Sequence, residues 1–179
     1  MNKFIFTETK IKDLYIIQPQ VFGDARGFFM ETYNEKEFHD HGLTMKFVQD
    51  NHSKSAQGVL RGLHFQDPHP QGKLVRVIAG EVYDVAVDLR KNSPTYGQWE
   101  GVYLSGENKT MFYVPEGFAH GFLVLSDSAE FLYKCTDFYY PEHESGIIWD
   151  DKTLNIDWPL SRITASVSLS AKDAKLPPF

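Results

Sequence analysis

The residues of this chain best equipped for chemistry lie in four short stretches. The first is Arg61-Gly62-Leu63-His64-Phe65-Gln66, with Lys73 a hairpin's length further on. Imidazole is the side chain whose ordinary pKa, about 6.5, lets it exchange protons near neutrality. With Lys73 across the hairpin, the two strands form a cationic, ionisable pair; a hydrogen-bonded core histidine is the competing reading. On a regular strand Arg61, Leu63 and Phe65 share one face, and Gly62, His64 and Gln66 the other. The second stretch, Pro115 to Gly121, is a turn that enters an apolar strand and carries His120. The third runs from Glu130 to Pro141. There Tyr133 and Tyr139 stand an even number of residues apart, so a regular strand puts them on one face. A phenol in a cavity can donate a proton, and it can also simply pack. The fourth is Asp24 to Glu31, joined later by Gln49-Asp50-Asn51. The planar fork of Arg26 suits a phosphate or carboxylate. Glu31 or the Gln49–Asn51 amides could read the edge of a uracil or thymine, and a surface ion pair with turn residues is the competing reading. Ser170-Ala171-Lys172-Asp173 has the form of a capping box.

These side chains need a scaffold, and the spacing of apolar residues predicts one built of strands. Short runs rich in Val, Ile, Tyr and Phe recur between Gly, Pro, Asn and Asp. They predict strands at Leu14–Gln18, Gly27–Tyr33, Lys46–Asp50, Gly58–Phe65, Lys73–Ile78, Glu81–Leu89, Gly101–Leu104, Thr110–Val114, Gly121–Leu125 and Ala129–Phe138. Within Glu81–Leu89, Tyr83, Val85, Val87 and Leu89 form one face. Val82, Asp84, Ala86 and Asp88 form the other, a mixed face suited to lining a polar cavity. Asn34–His41, followed by Gly42, reads as a short helix with an Asn cap and a Gly stop. Ser170–Lys175 reads as one further helical turn before Pro177 and Pro178. Many short strands with tight turns predict a β-sandwich, jelly roll or barrel.

Composition narrows the function. The 179 residues fit one domain, and 15% of them are aromatic, which argues against disorder. Lys and Arg number 18 against 24 Asp and Glu, a net charge of −6, so a nucleic-acid partner is not expected. The lone Cys135 cannot form an internal disulfide and reads as buried filler. With no apolar leader or membrane-length run in the sequence, a soluble cytoplasmic protein is expected.

Two resemblances sharpen this. Pro115-Glu116-Gly117-Phe118-Ala119-His120 resembles the second motif of cupins, whose histidine is often a metal ligand. The partner motif carries a His-x-His pair, and here Gln66 stands where the second histidine belongs. Gln is a poor transition-metal ligand, so the motif supports the fold and no metal is expected. The chain as a whole resembles the dTDP-4-dehydrorhamnose 3,5-epimerase family. The resemblance rests on FGDARGFFME at Phe22–Glu31, QDNHSKS at Gln49–Ser55, GVLRGLHFQ at Gly58–Gln66, GKLVRV at Gly72–Val77, DVAVDLR at Asp84–Arg90, SPTYGQW at Ser93–Trp99, VPEGFAHGF at Val114–Phe122 and SAKD at Ser170–Asp173.

The resemblance implies one cupin-type jelly roll over residues 1–179, with N-terminal strands contributing to a homodimer and a short C-terminal helical segment. It implies no cofactor, and inversion of C3 and C5 of a dTDP-linked 4-keto-6-deoxyhexose on the way to dTDP-L-rhamnose, which feeds surface polysaccharides such as O-antigen. On this resemblance His64 is the base, Asp173 orients it, Tyr133 is the proton donor, and Lys73 with Arg61 stabilises an enolate. Phe29 and Tyr139 stack on thymine. Glu31, Gln49, Asp50 and Asn51 contact the base, and Arg26, Arg61, Glu144 and Lys172 line the diphosphate and sugars. His120 touches the substrate, and Arg26, Phe29 and Glu31 come from the neighbouring subunit. Asp84, facing inward on its strand, is placed to orient His120 or His64. A single-carbon epimerase, a metal-dependent cupin oxygenase and a non-catalytic sugar-binding jelly roll are the other readings of the same scaffold.

Overall fold

A computed structural model describes residues 3–179. The alternating apolar segments form two antiparallel sheets that face each other. The strands are β1 (Phe4–Glu8), β2 (Tyr15–Pro19), β3 (Val21–Asp24), β4 (Gly27–Met30), β5 (Gln49–Ala56), β6 (Leu60–Gln66), β7 (Lys73–Ala79), β8 (Glu81–Asp88), β9 (Trp99–Ser105), β10 (Met111–Val114), β11 (Phe118–Val124), β12 (Ser128–Cys135) and β13 (Glu144–Gly146). One six-stranded sheet runs β1-β2-β10-β7-β12-β5, and a five-stranded sheet runs β13-β6-β11-β8-β9. The hairpin β3-β4 stands apart from both. This is the jelly-roll fold expected of the cupin type.

Strand β8 shows why the sheets face each other. Its Val82 and Ala86 join Val75, Val77, Phe112 and Phe131 of the six-stranded sheet in the central core. Its other face, Tyr83, Val85 and Val87, packs under Ile147, Leu154 and Trp158 of the C-terminal region. The predicted alternation of this strand is realised, but the face of Val82 and Ala86, expected to line a polar cavity, lies in the apolar core; each face is buried because a layer covers it. A third cluster joins Phe4, Ile17, Leu74 and Met111 to Phe38 of the single α-helix, α1 (Glu35–Asp40). Asn34 caps that helix by accepting from the backbone N–H of Glu37. Burying Phe38 stabilises the helix by roughly 1.5–3 kcal/mol, more than six residues gain from helix propensity. Among the described residues no helix is long and apolar enough to cross a membrane.

The structure shifts several predicted boundaries. The strand expected at Lys46–Asp50 lies at Gln49–Ala56, a polar edge strand whose pairing to β12 supplies what its side chains do not. The strand expected at Gly27–Tyr33 stops at Met30, and the one expected at Ala129–Phe138 ends at Cys135. β1, β3 and β13 were not expected from apolar spacing. The last turn is a 3-10 turn at Asp173–Lys175.

Candidate active site

A cavity of about 500 Å³ opens between the sheets. The five-stranded sheet contributes Arg61 and His64 from β6 and His120 from β11. The six-stranded sheet contributes Lys73 from β7 and Tyr133 from β12. The loop around β13 adds Tyr139 and Glu144, and the C-terminal segment adds Ser168 to Ser170, Lys172 and Asp173.

Regular alternation separates Arg61 from His64, yet both line the cavity. The cause is a bulge. His64 pairs with His120 and Arg61 with Phe122, so three steps along β6 match two along β11. The extra residue brings Arg61 to the face of His64, which corrects the two-face reading of this stretch. Two glycines permit it. A Cβ on Gly62 (φ +112°) would lie 2.6 Å from the Gly121 Cα, and one on Gly121 would lie 2.6 Å from the Arg61 carbonyl. Only glycine lets the two backbones approach this closely.

His64 Nε2 lies 2.7 Å from Asp173 Oδ1. The Asp173 side chain is 5% exposed, so this carboxylate has little water to turn to. The segment that delivers it is tied to β6 by backbone bonds from Leu60 N–H to the Ser168 carbonyl and from Ser168 N–H to the Gly58 carbonyl. The capping box expected at Ser170–Asp173 forms by half. Asp173 N–H donates to Ser170 Oγ at 3.0 Å, while the Asp173 carboxylate turns to the imidazole. His64 Nδ1 stands 3.8 Å from Glu144 Oε1.

Three ionisable groups feel the low-dielectric surroundings. Burial pushes the Tyr133 phenol above its ordinary value of 10.0, so it stays protonated far into the alkaline range. Burial pulls Lys73 below its ordinary 10.5. Lys73 has no hydrogen-bond or ion-pair partner among the described residues, which leaves its donors free. Burial raises the Asp84 carboxyl, against the opposing effect of His120. Asp84 Oδ1 and Oδ2 lie 2.9 and 3.0 Å from His120 Nε2, so Asp84 orients His120 and not His64. Both cavity histidines thus commit one ring nitrogen to a carboxylate. Among the described residues no three His, Cys, Asp or Glu side chains gather as a metal-ligand set.

Gln66 holds the loop that carries Tyr139. Its amide nitrogen donates to the carbonyls of His69 (2.7 Å) and Phe138 (3.1 Å), and its oxygen accepts from Tyr140 N–H at 2.8 Å. Tyr139 donates its hydroxyl to Glu144 Oε2 at 2.5 Å, and this bond pushes the phenol up to about 12. Lys172 pairs with the same Glu144 oxygen. The backbone N–H of Tyr139 donates to Gln49 Oε1 at 3.0 Å.

The other expected residues lie elsewhere on this chain. Arg26 pairs with Asp24 on the exposed β3-β4 hairpin, where Phe29 is 65% exposed. Glu31 is bound by Lys3 and Asn34. Asp50 pairs with Lys134 at 2.9 Å, and Asn51 Nδ2 reaches Cys135 Sγ at 3.5 Å, beside a second groove of about 350 Å³. The wall formed by Ser168 and Leu169 was missed, because it joins the sheet through backbone bonds that leave no mark in the residue pattern.

A model of the dTDP-4-dehydrorhamnose 3,5-epimerase family matches residues 8–179. The dTDP-4-dehydrorhamnose 3,5-epimerase of Methanothermobacter thermautotrophicus is 57% identical over 179 residues, covering 100% of this chain and 96% of that protein. The enzyme of the same name from Salmonella typhimurium is 57% identical over 175 residues, 97% of this chain and 94% of that one. The crystal structure of dTDP-6-deoxy-D-glucose-3,5-epimerase from Legionella pneumophila, in complex with dTDP-4-keto-L-rhamnose, superposes with a TM-score of 0.92 at 52% identity over 98% of both chains. With a family match that spans the two sheets and the segment carrying Asp173, this chain belongs to the dTDP-4-dehydrorhamnose 3,5-epimerase family and is an epimerase of the isomerase class.

Proposed function

We propose that this enzyme inverts C3 and C5 of dTDP-4-dehydro-6-deoxy-D-glucose, giving dTDP-4-dehydro-L-rhamnose, by proton transfer through an enolate. The C4 ketone acidifies the C–H bonds on either side of it. With Nε2–H held on Asp173, His64 keeps Nδ1 as the basic nitrogen and takes the proton. The C–H electron pair moves into the ring and onto the C4 oxygen. The positive charges of Lys73 and Arg61 meet the oxyanion, and charge-assisted bonds are roughly twice as strong as neutral ones. Tyr133 returns a proton from the opposite side, and both groups then re-equilibrate with water. The observation that carries this reading is the pairing of His64 with Asp173 on one wall, with a protonated phenol and an unpaired ammonium on the other.

For the nucleotide, Tyr139 stacks on thymine beside Phe29 of a second copy, with Gln49 next to them. Lys172 and Arg26 of the second copy meet the diphosphate, and Glu144 holds Lys172 and Tyr139 in place. A homodimer is supported by the exposed hairpin β3-β4, whose Phe22, Phe28 and Phe29 are 47%, 58% and 65% exposed.

The test is proton NMR of turnover in D₂O. The wild-type protein is expected to place deuterium at C3 and C5. His64→Asn and Tyr133→Phe are expected to slow exchange by roughly 10²–10⁴-fold with dTDP affinity unchanged. Deuterium at one carbon only marks a single inversion, and unchanged exchange in both variants removes the acid–base assignment.

A further inference from the structure

Asp84 is a carboxylate with no exposed surface, on a strand whose neighbouring inward residues, Val82 and Ala86, belong to the central apolar core. A buried carboxylate is costly unless bonds and opposite charge compensate it. It has one hydrogen-bonding partner, His120 Nε2, which lies within 3.0 Å of both its oxygens. One N–H leaves most of the carboxylate without a hydrogen-bonding partner. The remaining compensation is left to Lys73, which lines the same cavity as the His120 ring that Asp84 holds and has no ion-pair partner of its own.

We propose that Asp84 is a positioning residue of this site, fixing the ring of His120 through Nε2 and serving as the buried counter-charge of Lys73. This deepens the proposed function and rests on it. A lysine can stabilise an oxyanion only while it is charged, and burial works against that charge. A carboxylate in the opposite sheet offsets the loss without occupying the lysine's donors, which stay free for the substrate oxygen. The groups that face Lys73 are Cys135 and Tyr133 on β12, Asp84 on β8, His120 on β11, Arg61 and His64 on β6, and Glu144 on β13. Cys135 and Tyr133 are held protonated by burial and carry no charge near neutrality. Arg61 is a like charge. Glu144 is already bound by Lys172 and Tyr139. Asp84 is therefore the anion left to Lys73.

The same carboxylate sets the tautomer of His120. Accepting at Asp84 requires the Nε2–H form, which leaves Nδ1 as an acceptor for a substrate hydroxyl.

The test compares wild-type protein with Asp84→Asn, which keeps the size of the side chain and removes its charge. Binding of dTDP by calorimetry is expected to be unchanged. Exchange at C3 and C5 in D₂O is expected to fall about tenfold in kcat, and the alkaline limb of kcat to move down by about one pH unit or more. A limb that stays in place overturns the proposal, even if kcat falls, because a merely structural role would not move it. Nitrogen-15 NMR of the wild-type protein gives a second reading independent of how the variant folds. His120 is expected as the Nε2–H tautomer at pH 8, and an Nδ1–H tautomer overturns the proposal. If wild-type protein shows no exchange at all, the acid–base reading fails, and the tautomer still decides the Asp84–His120 assignment.

Discussion

Lys73 is the residue whose titration this site is most exposed to. Burial lowers its pKa from 10.5, so its charge is present at low pH and lost as pH rises through that lowered value. The Tyr133 phenol moves the other way and holds its proton to higher pH. The alkaline loss of kcat is therefore expected to report Lys73 and to lie below pH 10.5. Lys73→Arg, which stays charged throughout, is expected to push that limb upward in a pH–rate profile. Lys73→Met is expected to lose roughly 10²–10³-fold in kcat, the usual cost of deleting one oxyanion donor. At this scale the sequence was uneven to read. His64 and Lys73 announced themselves as ionisable groups close in sequence, but the hairpin expected between them does not form: β6 and β7 belong to different sheets, and the two side chains reach the cavity from opposite walls. Tyr133 was indistinguishable from a core aromatic by residue type, and only the resemblance of the whole chain to the family gave it a role. Asp173 was named as the partner of His64 only through the family resemblance, because 109 residues separate them.

The bulge between β6 and β11 governs the site at the level of elements. It turns a strand with one functional side chain on each face into one with both on the same face. Gly121→Ala would drive a Cβ within 2.6 Å of the Arg61 carbonyl and 3.2 Å of the Gly62 Cα. This is expected to cost about 1–3 kcal/mol of stability by urea denaturation. It is also expected to lower exchange activity well beyond that loss, since Arg61 and His64 would no longer share a wall. An unchanged kcat would show that the bulge does not position them. β8, with a full apolar face, was legible from alternation alone, whereas β11 begins at Phe118, three residues before the expected Gly121, and takes in part of what was read as a turn. The bulge was not legible, because a glycine in a strand marks an irregularity without giving its register. β5 was misplaced for a different reason: QDNHSKSA has no apolar face, and its strand character comes from pairing with β12.

Two features concern the whole molecule. Burial would raise the Asp88 carboxyl, but bonds from Arg90, Ser93 and Thr95 outweigh it and hold it well below the ordinary 3.8. A folded-state pKa below the unfolded one contributes stability that is present above about pH 4 and lost as pH falls through the folded value. Asp88→Asn is accordingly expected to lower the urea midpoint at pH 7 and to narrow the gap to wild type at pH 3. The second feature is the β3-β4 hairpin, which carries Arg26 and Phe29 away from the cavity of their own chain. If a second copy receives them, Arg26→Ala and His64→Asn protomers, each poorly active alone, are expected to recover exchange when unfolded and refolded together. Absence of recovery would mean the hairpin does not work across copies. The strap that brings Asp173 to His64 has one more consequence, for the order of events at birth. A nascent chain that has emerged as far as β13 has the strands of both sheets, yet its imidazole lacks the Asp173 carboxylate at Nε2. Catalytic competence therefore waits for the Asp173 segment, and a ribosome-stalled fragment ending at β13 would be silent.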